Sequence, residues 1–268
     1  MPWCDANGVS LYYELAGAGQ RLLVISGTGG DLRDAPRLSD GPLGQAFEIL
    51  AYDQRGLGRS SVPPWPYGMG DFADDAAALL EAVEWEDGLV LGVSFGGMVA
   101  QELAIRHPER VSRLVLACTS AGGAGGASYP LQELARLDPE ERVTRRMELL
   151  DTRWDRDWRR SHPQMESMIR ERARLDRAGD PGFANQLAAR AQHDTSARLG
   201  RIACPTLVCG GRHDGIAPPA NSEFLAASIP GARLCFFDGG HLFFLQDPAA
   251  LPAVAAFLAD AASVRTDP

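Results

Sequence analysis

Short unbroken apolar runs alternate along the chain with stretches in which apolar residues recur every three or four positions. The runs RLLVIS (21–26), FEILAYD (47–53), GLVLGVS (88–94), VSRLVLACT (111–119), PTLVCGG (205–211) and ARLCFFDGG (232–240) show no regular polar alternation. That is the pattern of strands buried on both faces, as in a parallel sheet. Nearer the N-terminus, WCD and VSLYYEL flank Ala6-Asn7-Gly8, and Asn-Gly between two strand candidates predicts a hairpin. Helical spacing predicts helices over 71–85, 98–107, 220–228 and 247–262. Pro108 ends the second, Pro218 and Pro219 start the third, and the fourth takes Asp247 as its cap and Pro248 as its first residue. Strands alternating with helices predict an α/β fold with a mainly parallel sheet and helices on both faces.

The rhythm breaks once. From Gly122 to Ala203 no strand is predicted. The segment opens on GGAGGAS, read as a flexible hinge-like run. The charged amphipathic pieces LQELARL, PEERVTRRMELLD, RDWRRSHPQMESMIRERARL and GFANQLAARAQ follow. A structureless loop this long is implausible in a compact domain, so 122–203 is expected to be a helical cap inserted between strands 6 and 7. Residues 1–121 and 204–268 then form the core. The arginines of the cap are read as a solvated face. Trp154, Trp158, Met165, Met168 and Phe183 are read as packing of cap on core that together walls part of a site.

At 268 residues the chain can bury one full α/β core with an insertion. Its formal net charge of -9 repels phosphate backbones and anionic lipid, so nucleic acid and membrane surfaces are not expected partners. No apolar run has the length of a membrane span and MPWCDANGVS lacks the form of a signal peptide, so a cytoplasmic location is expected. The five cysteines show no paired spacing. Cys118, Cys209 and Cys235 sit within strand-like runs and are read as small buried apolar residues. No histidine spacing suggests a metal.

The stretch LVLGVSFGGMVAQ (89–101) carries the chemistry. Gly92-Val93-Ser94-Phe95-Gly96 has the form G-x-S-x-G between a strand-like and a helix-like run. There the turn holds a serine out as a nucleophile and the following helix N-terminus favours negative charge. A serine needs a base, and the base needs an orienting group. In the order that accompanies this turn, an acid and then a histidine follow. Asp214, in GGRHDGIAP, and His241, in DGGHLFF, both come directly after predicted strands, so three distant segments converge on one edge of the sheet. His213 is read as facing away from the site, His107 as a helix-end residue, and His162 and His193 as surface or packing residues of the cap. Asp53 and Arg55 are read as fixing their loop. Leu242, Phe243, Trp65 and Met98 are candidates for either pocket wall or core.

With these motifs in place, together with YDQRGLGRS and HPERVSRLVL, the chain resembles the α/β-hydrolase superfamily in its compact capped branch of esterases and lactonases. Some relatives carry the acid after the strand before the cap; ACTSAGG has no carboxylate there, which leaves Asp214. The resemblance implies an oxyanion hole from two backbone N–H groups, those of Phe95 and of Thr28 in Ser26-Gly27-Thr28-Gly29-Gly30. Relatives have His-Gly where this chain has Ser26-Gly27. The implied activity is hydrolysis of a carboxylic ester or lactone of small to medium, partly apolar form, through an acyl-enzyme, with no cofactor. The same triad also serves C–C bond hydrolases, perhydrolases and other chemistries, and some proteins of this fold act as receptors.

Overall fold

The computed structural model describes residues 2–173 and 180–259. A hairpin of β1 (Trp3–Ala6) and β2 (Val9–Gly17) leads into β3 (Gln20–Ile25), α1 (Pro42–Ala46) and β4 (Phe47–Tyr52). Then come α2 (Met69–Ala82), β5 (Gly88–Val93), α3 (Phe95–Arg106) and β6 (Val111–Ala117). Between β6 and β7 the described residues include α4 (Pro139–Leu150), α5 (Arg156–Ser161), α6 (Pro163–Ala173) and α7 (Pro181–Ala191). The chain closes with β7 (Thr206–Gly211), α8 (Pro219–Ser228), β8 (Arg233–Phe237), α9 (Phe243–Gln246) and α10 (Ala250–Ala259).

The eight strands form one sheet in the order β1-β2-β4-β3-β5-β6-β7-β8. The β1–β2 and β2–β4 pairs are antiparallel and the others parallel. The unbroken apolar runs have a simple cause. Side chains alternate faces along a strand, so a strand covered on both faces is apolar at every position. Leu23, Ile25, Val90, Leu114, Leu116 and Val208 pack into the core on one face. Leu22, Val24, Leu89, Leu91, Val115 and Leu207 pack into the core on the other.

Several elements depart from expectation. α3 starts at Phe95, directly after the serine, rather than at Met98. α1 and α9 were not predicted, because each is too short to show a helical period. The last helix begins at Ala250, not Pro248. Asp247 spends its side chain on the N–H groups of Ala249 and Asp238, forming a turn instead of a cap. The predicted end of that helix at 260–262, and residues 174 and 175 of the cap pieces, lie outside the described residues. Cys118 and Cys209 are buried, but Cys235 is only half-buried, because β8 is the edge strand.

In the insertion, only an isolated bridge between Gly122 and Asp194 is β-like among the described residues. The glycine run at its start is packed rather than hinge-like. A Cβ at Gly122 would run into the His193 carbonyl, and one at Gly125 would fall 2.5 Å from the Phe224 ring. Trp154 is buried and stacks on Trp158, which stacks on His162. Met165 and Met168 are exposed and do not pack on the core. Arg190 breaks the solvated-face reading: it is buried, donates through Nη1 to the Tyr129 carbonyl at 2.9 Å, and burial pushes its pKa down to about 10. No helix among the described residues is long and apolar enough to cross a membrane.

His193, just past α7, is 6% exposed, and burial pushes its pKa down to about 4. An unfolded histidine protonates near 6.5. Between those values the unfolded chain holds the extra proton, so acidification favours unfolding. His193 is expected to cost the fold up to about 3 kcal/mol as pH falls from 6.5 to 4. Urea titrations of wild type and His193→Leu across that range should diverge, with the variant showing the shallower loss. Parallel curves would assign acid sensitivity to other groups.

Candidate active site

Three loops at the carboxyl ends of β5, β7 and β8 bring Ser94, Asp214 and His241 together. The Ser94 Oγ lies 3.0 Å from His241 Nε2, and His241 Nδ1 lies 2.7 Å from Asp214 Oδ2. All three are sequestered: Ser94 is 7% exposed, Asp214 2%, and the His241 side chain 11%. The other oxygen of Asp214 accepts from the N–H groups of Ile216 and Ala217, both at 2.8 Å. The carboxylate is thereby aimed before it meets the imidazole, and it favours the tautomer with the proton on Nδ1 and the Nε2 lone pair towards Ser94.

Ser94 sits at φ 54°, ψ −115°, a backbone region L-residues rarely adopt. Its neighbours over-determine this turn. The Ser94 N–H donates to the Ala117 carbonyl at 2.8 Å, and the Thr119 hydroxyl donates to the Ser94 carbonyl at 2.7 Å. Gly96 lets the turn press against β3: a Cβ there would collide with the Ile25 carbonyl and lie 2.6 Å from that of Ser26. The contact lays the start of α3 against Ile25 and Ser26, where the loop carrying Thr28 begins. Gly27 is close enough that an added Cβ would stand 3.4 Å from the Ser94 Cβ.

That loop is held from both sides. Gln54 Nε2 donates to the Ser26 carbonyl at 2.8 Å, and the Gly29 N–H donates to Gln186 Oε1 on α7 at 2.7 Å. Asp53 takes the Leu32 N–H at 2.7 Å on one oxygen and the Arg59 N–H at 2.9 Å on the other. Arg55 binds Asp75 of α2 through two nitrogens, at 2.6 and 2.7 Å. Asp53 and Arg55 thus fix their loop and make no hydrogen bond or ion pair with Ser94, Asp214 or His241. His213 faces the surface near Asp238, and His107 binds Asp74 at 2.7 Å.

Gln186, Asp151 and Gln246 escaped sequence reasoning. The end of α4 staples the loops of both Asp214 and His241. Gly215 donates to the Leu149 carbonyl at 3.0 Å and the His241 N–H to the Leu150 carbonyl at 2.6 Å. Buried Asp151 accepts from Gln246 Nε2 at 2.8 Å, and Gln246 Oε1 accepts from the Gly240 N–H at 2.8 Å. These glutamines and this aspartate belong to no motif, so no local signal marks them. Of the candidate wall residues, Met98 and Phe243 are buried core, and Trp65 is exposed.

Replacing Gln186 by leucine removes the acceptor for Gly29 and is expected to lower kcat by about 10- to 100-fold, the scale of an ångström-level misplacement. Circular dichroism checks that the fold survives. A variant with wild-type kcat would show that the loop is held without α7.

Cys118 follows β6 at φ 41°. Its Sγ and one ligand atom each from Asp214 and His241 lie within 4.8 Å of one another. Burial, with the Asp214 charge behind it, raises the thiol pKa well above its ordinary value. The trio therefore offers a protonated thiol and an imidazole already engaged at both nitrogens, a poor donor set for a metal.

A family model described as alpha/beta hydrolase fold matches residues 20–248. The chain is 31% identical over 240 residues to the poly(3-hydroxyalkanoate) depolymerase of Ectopseudomonas oleovorans, covering 88% of this chain and 83% of that protein. It is 32% identical over 272 aligned positions to the 2-hydroxymuconate semialdehyde hydrolase of Pseudomonas sp. (strain CF600), covering 96% and 93%. Among solved structures, the enol-lactonase from Burkholderia xenovorans LB400 matches at TM-score 0.80 and 28% identity, covering 97% of this chain and 100% of that one.

Proposed function

The chain belongs to the alpha/beta hydrolase fold family, and from that premise we propose that it is a serine hydrolase of carboxylic esters or lactones. The observation that carries this reading is the continuous hydrogen-bonded line from Ser94 through His241 to Asp214, at 3.0 and 2.7 Å. His241 Nε2 takes the Ser94 proton as Oγ attacks the carbonyl carbon. The oxyanion forms against the N–H groups of Phe95 and Thr28, where fixed donors are worth most. His241 then protonates the leaving alcohol, the acyl group stays on Ser94, and a water deprotonated by His241 releases the acid. Asp214 orients the imidazole and balances its charge. Residues 122–203 act as the cap, and the expected partner is a small-molecule substrate in a cytoplasmic setting.

The relatives named as enol-lactonase and depolymerase favour ester-like bonds. The semialdehyde hydrolase at 32% identity keeps cleavage of a C–C bond as a second reading. The test is turnover of a panel of p-nitrophenyl esters and small lactones, with fluorophosphonate labelling of wild type and Ser94→Ala in parallel. Ester or lactone turnover and labelling that both require Ser94 support the proposal. Labelling without such turnover shifts the reading to C–C cleavage, and the absence of both points to a binding protein.

A further inference from the structure

α7 lies across the carboxyl ends of neighbouring parallel strands. A Cβ at Gly182, near its start, would collide with the Gly56 carbonyl, past β4. Gln186 takes the Gly29 N–H, past β3, and the His193 carbonyl, just past α7, presses on Gly122, past β6. The sheet order there is β4-β3-β5-β6, so the helix passes over the end of β5, which Ser94 directly follows. From Gln186 to His193 the chain advances about 10 Å at about 1.5 Å per residue, close to the width of two strand spacings of about 4.8 Å. The midpoint, over β5, falls at Ala189 and Arg190. Ala189 is buried in the same cluster as Phe95, the residue after Ser94. Arg190 stands one helical turn beyond Gln186, on the face turned to the strand ends.

Arg190 is 6% exposed, and no carboxylate pairs with it among the described residues. A buried charge without a counter-charge is among the costliest arrangements in a fold. Its Nη1 donates to the Tyr129 carbonyl at 2.9 Å. The Tyr129 N–H donates to the Ile216 carbonyl at 2.7 Å, and the Ile216 N–H to Asp214, so the guanidinium is tethered to the loop of the acid. Nε and Nη2 are buried with no hydrogen-bond partner. These two nitrogens form the side-on fork of the guanidinium. Arg33, Arg55, Arg106 and Arg153 each bind a carboxylate through that same fork. One turn earlier, Gln186 Nε2 is also buried and unpartnered, as is the hydroxyl of Thr28 beside Gly29. The unpartnered side-chain atoms on α7 are thus all donors, the complement of an anion.

We propose that Arg190 is a specificity-determining residue of this site, its Nε–Nη2 fork taking a carboxylate carried by the ester or lactone cleaved at Ser94. This rests on the Ser94–His241 reading above. A planar two-point contact fixes the far end of the substrate and thereby the angle at which its carbonyl meets Ser94. The acidic surface of the chain does not oppose this, because exposed charges are screened beyond a Debye length while a buried cation acts at contact. An arginine with only a structural role would hold Tyr129 through Nη1 and be indifferent to the charge of the substrate.

The test compares anionic esters with neutral counterparts on the full chain. Monoethyl glutarate against diethyl glutarate places the carboxylate on the acyl side. For the alcohol side, acetate release from 4-acetoxybutanoate is compared with release from its ethyl ester. In at least one pair, wild-type kcat/KM is expected to favour the anion by tenfold or more. Arg190→Met should cut that preference at least tenfold, and Arg190→Lys, which keeps the charge without the fork, at least threefold. Binding is read separately: glutarate should raise the Tm of wild type and not that of Arg190→Met. Wild type that favours the neutral ester in both pairs overturns the proposal, as does a folded Arg190→Met with the wild-type preference. If Arg190→Met does not fold, an unchanged preference in Arg190→Lys overturns it instead. If ester turnover does not require Ser94, the hydrolase reading is what has failed, and the glutarate shift alone then decides whether Arg190 holds a carboxylate.

Discussion

Ser94→Ala is expected to lower kcat/KM on the best ester by about 10⁵- to 10⁶-fold, with folding unchanged. That corresponds to roughly 7–8 kcal/mol of transition-state stabilisation. His241→Ala should cost about as much, and the double variant no more, because nucleophile and base act as one unit. The geometry motivates this: the Oγ–Nε2 separation is 3.0 Å, already within proton-transfer reach. Asp214→Asn should lose about 10⁴-fold while the site keeps its shape, since an amide facing Nδ1 favours the wrong tautomer. Residual turnover in all three would come from the Phe95 and Thr28 amides. Steady-state kinetics with active-site titration makes the measurement. Ser94→Ala within tenfold of wild type would end the triad reading, whatever the fold.

The largest stability effect is expected at Asp75. Its carboxylate meets Arg55 at 2.6 and 2.7 Å, with side chains only 1% and 5% exposed. Burial works to raise the Asp75 pKa, and the Arg55 contacts oppose it. The guanidinium also lies 5.0 Å from the Tyr67 ring centre and 5.8 Å from that of Phe72, so it cannot swing to water without unpacking them. Asp75→Ala strands a buried charge and should cost about 3–5 kcal/mol. A denaturant midpoint compared at constant m-value reads it directly. The paired variant Arg55→Met, Asp75→Leu should recover most of the loss, because removing both charges also removes their desolvation cost. A single variant within 1 kcal/mol of wild type would show that Arg55 finds another partner.

The strands were legible because each is covered on both faces, so burial is written residue by residue into RLLVI and its counterparts. The elbow was legible because its requirements are local: Gly92 and Gly96 flank Ser94 within one turn. Asp214 and His241 could be read because each follows a strand, and parallel strands bring their ends to one edge. Gln186, Asp151 and Gln246 could not be read. Their roles consist of hydrogen bonds to backbone groups far away in sequence, such as Gln186 to Gly29, and any polar residue in a helix looks the same beforehand. Arg190 was misread for a related reason: charge in an amphipathic helix predicts exposure, and only packing against Tyr129 buries it.

The sequence by itself therefore determined the α/β class, the strand order along the chain, and which serine, acid and histidine stand at strand ends. Those depend on periodicity and on turn chemistry, which act over a few residues. Tertiary structure alone decided the 3.0 and 2.7 Å spacings, and the grip of α4 and α7 on the loops of Asp214, His241 and Gly29. Those depend on where separately folded segments come to rest against one another, and the shape of the space between them is set by side-chain packing that no single segment encodes.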